Sequence, residues 1–248
     1  MKVPAVEGII ERRLLVNYRV DPGALTGILP PPFRPKLAAG YAMAGICLIR
    51  LARVRPRGLP GAVGLRSENA AHRIAVEWDA DGRTHEGVYI PRRDSDSRFN
   101  NFVGGRVFPG EHQRAVFTVS ESDDYFDVAL HSDDGRTRVA VAGRIARSLP
   151  SGSVFSSLEE ASAFFQRGSV GYSATRRLGR YDGLELRVAD WRVEPLAVER
   201  VASSFFEDTG QFPLGSTAFD CALVMRGVRH SWHALPTLSH STFDAPAA

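Results

Sequence analysis

Four side chains between residues 68 and 93 have the chemistry expected of a site that handles a small organic acid. Glu68 and His72 are groups that can transfer a proton, and Arg92 and Arg93 can hold a carboxylate through charge-assisted hydrogen bonds. A positioned base that removes a proton beside a carbonyl contributes on the order of 10²- to 10⁴-fold to a rate. This combination of groups is suited to moving a proton on a bound carboxylic acid.

A predicted β-hairpin positions these four residues. Its first arm is the segment 72–78 (HRIAVEW), and its second arm is the segment 83–94 (RTHEGVYIPRRD). The aspartates and glycine of residues 79–82 are typical of a tight turn between two strands. We therefore expect the acid–base pair and the arginine pair to lie beside each other on neighbouring strands.

Alternation along the second arm assigns its side chains to faces. Counting by twos places Arg92 with Ile90 and Val88 on the apolar side, and Arg93 with Tyr89 on the other side. Arg92 is therefore predicted to turn toward the core and Arg93 to lie nearer the rim, with Tyr89 close by.

The same count on the first arm places a carboxylate and an imidazole at one end of an apolar stripe. The stripe consists of Trp78, Val76, Ile74 and Ala70, with His72 and Glu68 toward its end. Because an isolated ion in such a place is heavily penalised, Glu68 and Arg92 are expected to pair with each other or with a ligand. The alternative is that both lie at strand ends in water as ordinary surface residues.

Composition is that of a globular protein. The chain has 248 residues, of which 44% are apolar and 24% charged. We see no repeat and no linker, so one domain over 1–248 is expected, with a frayed tail at 238–248. The sequence has no apolar run of the roughly 18 residues that span a bilayer and no apolar signal segment at its start, so a cytoplasmic protein without a membrane partner is expected.

The basic residues do not indicate a nucleic-acid partner. Lys2 and Lys36 are the two lysines among 31 basic residues, and the arginines are scattered among acidic residues. One dense patch, which we interpret as a solvated loop, contains Arg50, Arg53, Arg55 and Arg57. Without interleaved aromatic residues or a recognisable module, nucleic-acid binding is not expected.

Cysteine and histidine chemistry receives little support from the sequence. Cys47 and Cys221 lie in apolar runs and are interpreted as small buried hydrophobes. His230 and His233 are spaced so that a strand would send their rings to opposite faces, which argues against a zinc site. A serine nucleophile is equally unsupported, because no G-x-S-x-G motif occurs.

Strand patterns dominate the remaining sequence. The segment 41–51 is apolar on both sides, which indicates a central strand. A capping box at Ser157–Glu160 predicts a helix that ends near Gly168. Further strands are expected at 11–20, 114–120, 125–131, 137–147, 183–196 and 219–228, and short helices at 23–29 and after Asp94. We predict an α+β fold that is predominantly antiparallel β, a curved sheet or closed β-barrel with a few peripheral short helices.

The order of several motifs resembles acetoacetate decarboxylase and its relatives, especially an uncharacterised bacterial branch of that superfamily. The matching segments are Val16–Asp21 (VNYRVD), Pro91–Arg93 (PRR), Asp190–Val193 (DWRV) and Ser216–Met225. The resemblance covers nearly the whole chain, and it implies the fold predicted above and a possible homo-oligomer. It also implies that Arg19 corresponds to the arginine of the family's opening strand.

Two departures from that family bear on chemistry. The decarboxylases carry Pro-Lys-Lys where this chain has Pro91-Arg92-Arg93, and their first lysine forms a Schiff base with the substrate ketone. A guanidinium stays protonated and cannot replace that amine. Lys36 is not expected on an inward face, so Schiff-base decarboxylation is not expected. One family glutamate falls near Gly45, where the carboxylate is missing, and the other corresponds to Glu68.

The resemblance and the two departures outline a pocket, for which we consider three hypotheses. Its members are Arg19, Glu68 and Arg92, with His72, Tyr89 and Arg93 nearby. In the first hypothesis the protein is an enzyme in which Glu68 or His72 moves a proton while the arginines hold the acid. Such a site suits enolisation, hydration or dehydration of a small oxo acid, with no organic cofactor and no metal. In the second, it is a non-catalytic binder or sensor of a small anionic metabolite. In the third, Glu68 and Arg92 form a buried ion pair and no site remains.

Overall fold

The chain folds as one continuous sheet with a short helix against it. A computed structural model describes residues 5–58, 64–97, 110 and 112–239. The strands are β1 (Val6–Val20), β2 (Arg34–Pro35), β3 (Leu37–Ala38), β4 (Tyr41–Pro56), β5 (Leu65–Ala80), β6 (Arg83–Ser95), β7 (His112–Glu121), β8 (Tyr125–Ser132), β9 (Arg138–Ile145), β10 (Val170–Ala174), β11 (Arg180–Val188), β12 (Glu194–Ser203), β13 (Thr217–Ala234) and β14 (Leu238–Ser239). Helix α1 spans Leu158–Gln166, and 3-10 turns occupy Pro22–Leu25 and Arg167–Ser169. No helix in the described ranges is long and apolar enough to cross a membrane.

The sheet curves until it closes on itself. Nine strands pair in the order β6-β7-β8-β9-β12-β13-β1-β4-β5, and a β5–β6 pairing completes the ring. On the other side, the β10–β11 hairpin connects β6 to β13. Most pairings are antiparallel, while β6 pairs in parallel with β7 and β10. The predicted curved, mainly antiparallel sheet is confirmed.

Strands β13, β1, β4 and β5 are buried on both faces, because side chains alternate between two cores. The face that lines the nine-strand ring, here called the ring face, carries Leu14 and Leu48. The opposite face, here called the helix face, carries Leu15 and Cys47 and is covered by α1. This arrangement confirms the prediction that the segment 41–51 is a central strand.

Helix α1 begins at the predicted cap, with one change in its hydrogen bonds. The Ser157 hydroxyl accepts from the Glu160 N–H at 3.2 Å, whereas the Glu160 carboxylate accepts from the N–H of Ser156 at 2.8 Å rather than that of Ser157. The helix buries Phe164 and Phe165 against the helix face. Both cysteines are buried, as expected.

Several predicted boundaries are wrong. The segment 23–29 forms only a 3-10 turn before the prolines, and the strand expected over 183–196 is interrupted between β11 and β12. Strand β10 was not predicted, because its five residues show no extended alternation. The helix expected after Asp94 falls largely on residues 98–109, outside the described residues, while Asp94 itself lies in β6.

Candidate functional site

A β-bulge in β6 determines where the two predicted arginines point. His72 pairs with Arg92 and Ile74 pairs with Tyr89, so residues 90–91 together occupy the space of one partner. Such an extra residue shifts the alternation of side chains by one. Proline at this point of the strand is compatible with the bulge, since it has no N–H to give to the ladder.

The bulge overturns the face assignment made from alternation alone. Arg92 shares the ring face with His72 and Tyr89, and not with Ile90 as predicted, while Arg93 turns to the helix face. Both arginines therefore point inward, toward different cores. The expectation that Arg93 lies nearer the rim beside Tyr89 is wrong.

Arg92 is held by two aspartates on the ring face. Its Nη2 donates to Asp94 Oδ1 at 2.8 Å, and its Nη1 donates to Asp134 Oδ2 at 2.9 Å. Burial disfavours the charge, but hydrogen bonds with Asp134 and Asp94 outweigh this and raise the pKa of Arg92. The expected Glu68–Arg92 pair is thus replaced by a different pairing.

Glu68 belongs to a separate four-residue ion network on the same face. Its carboxylate accepts from Arg12 Nη2 and from Arg50 Nε, each at 2.5 Å. Glu121 accepts from the same two arginines and closes the network. Arg50 has 15% of its side chain exposed, so the interpretation of this arginine as part of a solvated loop is wrong.

His72 is a buried, neutral imidazole. Its ring lies 4.6 Å from that of Phe205, and neither nitrogen has a hydrogen-bond partner within the described residues. Burial and the nearby Arg92 lower the pKa of His72 to about 3, so the ring carries no charge near pH 7.

The other two predicted binding residues lie away from these ion pairs. Tyr89 packs with its ring 5.6 Å from that of Phe33 in the ring core, and burial raises its pKa. Arg19 lies on β1, where its Nη1 donates to the carbonyl of Gly152 at 2.6 Å and lies 3.6 Å from Asp220. Within the described residues, the six predicted residues therefore lie in several separate groups of contacts.

A second group of polar side chains, which was not predicted, lies on the helix face. Residues that pair across neighbouring strands form rows, and three adjacent rows contain this group. The first row is Asn17, Gly45 and Arg73, the second is Leu15, Cys47, Ala71 and Arg93, and the third is Arg13, Ile49 and Asn69. We call the group formed by Arg13, Asn17, Cys47, Arg73 and Arg93 the cationic pocket.

Arg73 crosses a glycine to reach its neighbour. Its Nη2 donates to Asn17 Oδ1, and Gly45 lies between the two residues in the same row. A Cβ at Gly45 would lie 2.3 Å from the carbonyl oxygen of Val16, so no other residue fits that backbone. The Arg73 guanidinium lies 5.1 Å from the ring centre of Phe165, a cation–π contact, and its Nε has no acceptor among residues 5–58, 64–97, 110 and 112–239.

Arg13 has a similar set of neutral partners. Its Nε donates to Cys47 Sγ at 3.2 Å and its guanidinium lies 5.7 Å from the ring centre of Trp191, whereas its Nη1 has no acceptor among the residues that the structure describes. Burial, with a contribution from Arg13, lowers the pKa of Arg73 to about 10, and Arg73 remains protonated at neutral pH. Within the described residues, neither Arg13 nor Arg73 has a carboxylate at ion-pair distance.

A cavity lies beside Arg93, while Arg13, Arg73 and Cys47 are not part of its lining. It has a volume of about 60 Å³ and is lined by Ile49, Leu51, Asn69, Ala70, Ala71, Arg93, Asp94, His112 and Trp232. A water molecule needs about 10–15 Å³ in this measure, so the cavity has room for roughly four to six water-sized groups. That is the size of a three- or four-carbon acid. Burial lowers the pKa of Arg93 to about 10, which also leaves this lining arginine protonated.

Sequence profiles place the chain in a family. The profile of DUF2071, described as "Uncharacterized conserved protein (COG2071)", matches residues 10–229. The chain belongs to this family. No curated protein sequence matches it.

Solved structures with the same fold confirm the resemblance found in the sequence. Acetoacetate decarboxylase from Legionella pneumophila subsp. pneumophila str. Philadelphia 1 aligns with a TM-score of 0.63 at 11% identity, covering 98% of this chain and 90% of that one. An acetoacetate decarboxylase-like enzyme from Sphingomonas wittichii RW1 gives 0.58 at 13% identity, covering 96% and 94%. The enduracididine biosynthesis enzyme MppR, complexed with pyruvate, gives 0.61 at 15% identity, covering 98% and 93%. At these identities the likeness shows a shared fold.

The pocket residues could have been found from one signal in the sequence. Because the segment 41–51 is apolar on both sides, its neighbouring strands must also be covered on both faces. Arg13 and Arg73 are next to Leu14 and His72 in the sequence, so alternation places them on the other face of the sheet. Because that face is covered too, both arginines are buried. The separate expectation for Lys36 is wrong, since this lysine is 7% exposed and pairs with Glu86.

Proposed function

We propose that the protein binds a small carboxylate of the oxo-acid class in the cationic pocket. The observation that carries the proposal is the pair of buried guanidinium groups, of Arg13 and Arg73, without a carboxylate partner among the described residues. Burying an ion costs several kcal/mol unless a counter-ion and hydrogen bonds offset it. A bound carboxylate would supply both, through the N–H groups that have no acceptor.

The size of the cavity and the fold relatives support the same class of ligand. The cavity of about 60 Å³ suits a three- or four-carbon acid, and Arg93 in its lining adds positive charge. MppR, which shares the fold, was solved with pyruvate bound. Pyruvate is therefore the first ligand to test, with the neutral pyruvamide as its control.

Proton transfer by Glu68 or His72 stays a prediction, and so does the lack of Schiff-base chemistry. Both residues lie on the ring face, where Glu68 binds two arginines and His72 is neutral. Lyase or hydratase chemistry in the cationic pocket would therefore need another group on the helix face. Binding is the part of the hypothesis that the geometry supports.

Calorimetric titration of pyruvate into wild type, R73M and R92M tests the proposal. We expect pyruvate to bind wild type and R92M alike, and R73M to bind at least about 30-fold more weakly, because truncating a buried charge partner costs at least about 2 kcal/mol. R92M is the matched control, as it removes an inward arginine of the same sheet that has its own aspartates.

The opposite pattern would contradict the proposed site. If R92M lost pyruvate while R73M kept it, the ligand would bind on the ring face. Equal affinity of wild type for pyruvate and pyruvamide would exclude recognition of a carboxylate.

A further inference from the structure

Cys47 is the nucleophilic side chain of the cationic pocket. Its Sγ accepts a hydrogen bond from Arg13 Nε at 3.2 Å, and Ala71 alone separates it from Arg93 in the same row. Arg73 lies in the next row. A thiol is the one nucleophilic side chain among the five residues that form this pocket. One N–H group of Arg13 and one of Arg73 have no acceptor among the described residues, so both are available to donate to an anion near this thiol.

The second cysteine of the same face has the opposite surroundings. Cys221 is fully buried, and burial together with Asp220 raises its pKa to about 12. Its Sγ lies 3.6 Å from Asn17 Nδ2. Cys221 is thus an internal control, a thiol in the same core that is kept protonated.

We propose that the Cys47 sulfur adds reversibly to the carbonyl carbon of the bound oxo acid, an inference that rests on the proposed function. The new bond joins Sγ to the carbonyl carbon, and the π electrons of the carbonyl move to its oxygen. The thiol proton ends on that oxygen, so the product is a hemithioketal and nothing is oxidised or reduced. The arginines hold the carboxylate while the sulfur reaches the adjacent carbon.

Carbon-13 NMR of pyruvate labelled at its carbonyl carbon tests the addition. In wild type and C221A, a protein-bound signal is expected to move from the carbonyl region to the region of tetrahedral carbon. In C47A that signal is expected to be lost while calorimetry still detects pyruvate. C47S, which keeps the size of the side chain, serves the same purpose should C47A fold poorly.

Alkylation provides a second measurement on the unmodified protein. Iodoacetate, which is an anion, is expected to label Cys47 at least about 10-fold faster than Cys221, and pyruvate is expected to slow the labelling of Cys47 only. Mass spectrometry of peptides reads both sites.

Three results would overturn the inference. The first is a tetrahedral signal that survives in C47A and C47S. The second is the lack of that signal in wild type that calorimetry shows to be loaded with pyruvate. The third is a Cys47 that is no more reactive than Cys221. In the second case the proposed binding function stands alone. Loss of pyruvate binding in wild type would refute the proposed function and this inference together.

Discussion

Neighbouring arginines have different kinds of partner on the two faces of the central sheet. Arg12 and Arg13 are consecutive in β1, as Arg92 and Arg93 are in β6, and each pair sends one guanidinium to each face. On the ring face, Arg12 and Arg92 each bind two carboxylates. On the helix face, Arg13 contacts a sulfur and an indole ring.

This difference separates structural charge from charge available to a ligand. The ring face supplies its own anions, so its arginines are satisfied inside the protein. In the part of the chain that the structure describes, the helix face leaves Arg13 and Arg73 each with an N–H group that has no acceptor. Replacing buried ions with apolar residues of similar volume is often neutral or stabilising. Arginines without a carboxylate partner among the described residues therefore fit the proposed binding better than a role in stability.

The largest expected effect comes from removing one arginine of the ring face. R12M leaves Glu68 and Glu121 with Arg50 alone, and breaking a buried ion pair in this way costs about 3 kcal/mol of unfolding free energy. R73M removes a buried charge that has no carboxylate partner, so it is expected to leave stability unchanged or to raise it. Urea unfolding of the two variants measures the difference, and equal losses would contradict the contrast between the faces.

A smaller effect is expected from pH. Burial and nearby Arg92 lower the pKa of His72 to about 3, and burial and nearby Arg13 lower the pKa of His230 to about 4. Each imidazole therefore takes up a proton more readily in the unfolded chain, so protonation favours unfolding. Their contribution is complete above the unfolded pKa of about 6.5 and is lost as pH falls toward the folded values. Between pH 6.5 and 5.5, each histidine is expected to cost about 1 kcal/mol of stability.

The faces can be told apart by the same pH measurement. Between pH 6.5 and 5.5, H72L and H230L should each lose less unfolding free energy than wild type, by the amount that the replaced histidine contributes. Urea unfolding measures this loss. A bound carboxylate near Arg13 should shrink the share of His230 and leave that of His72 unchanged. An identical pH dependence in H72L, H230L and wild type would show that neither imidazole is held neutral in the fold.

Local signals in the sequence predicted much of the fold. The two-sided apolar run of β4 predicted a central strand, and the cap at Ser157 predicted the start of α1. The hairpin of β5 and β6 also follows from alternation and its turn. These features depend on neighbours within a few residues, which a sequence displays directly.

The candidate site was harder to predict from the sequence than the fold was, for two physical reasons. Alternation cannot count through a bulge, so the extra residue at 90–91 reversed the assignment of Arg92 and Arg93 relative to their apolar neighbours. The partners that matter also come from far along the chain, since Asp134 reaches Arg92 from the turn after β8. A sequence gives the number of charges but not which of them meet.

The smallest expected effect is that of E68Q on binding of pyruvate. Glu68 lies on the ring face and binds Arg12 and Arg50, so neutralising it should change the dissociation constant less than about twofold while it lowers stability. Calorimetry at a temperature where E68Q remains folded separates the two effects, with R73M as the variant that should lose affinity. A large loss in E68Q with none in R73M would place the acid beside Glu68, as the sequence first suggested. The helix-face arginines would then need another explanation, because their unpaired charge would serve neither stability nor this ligand.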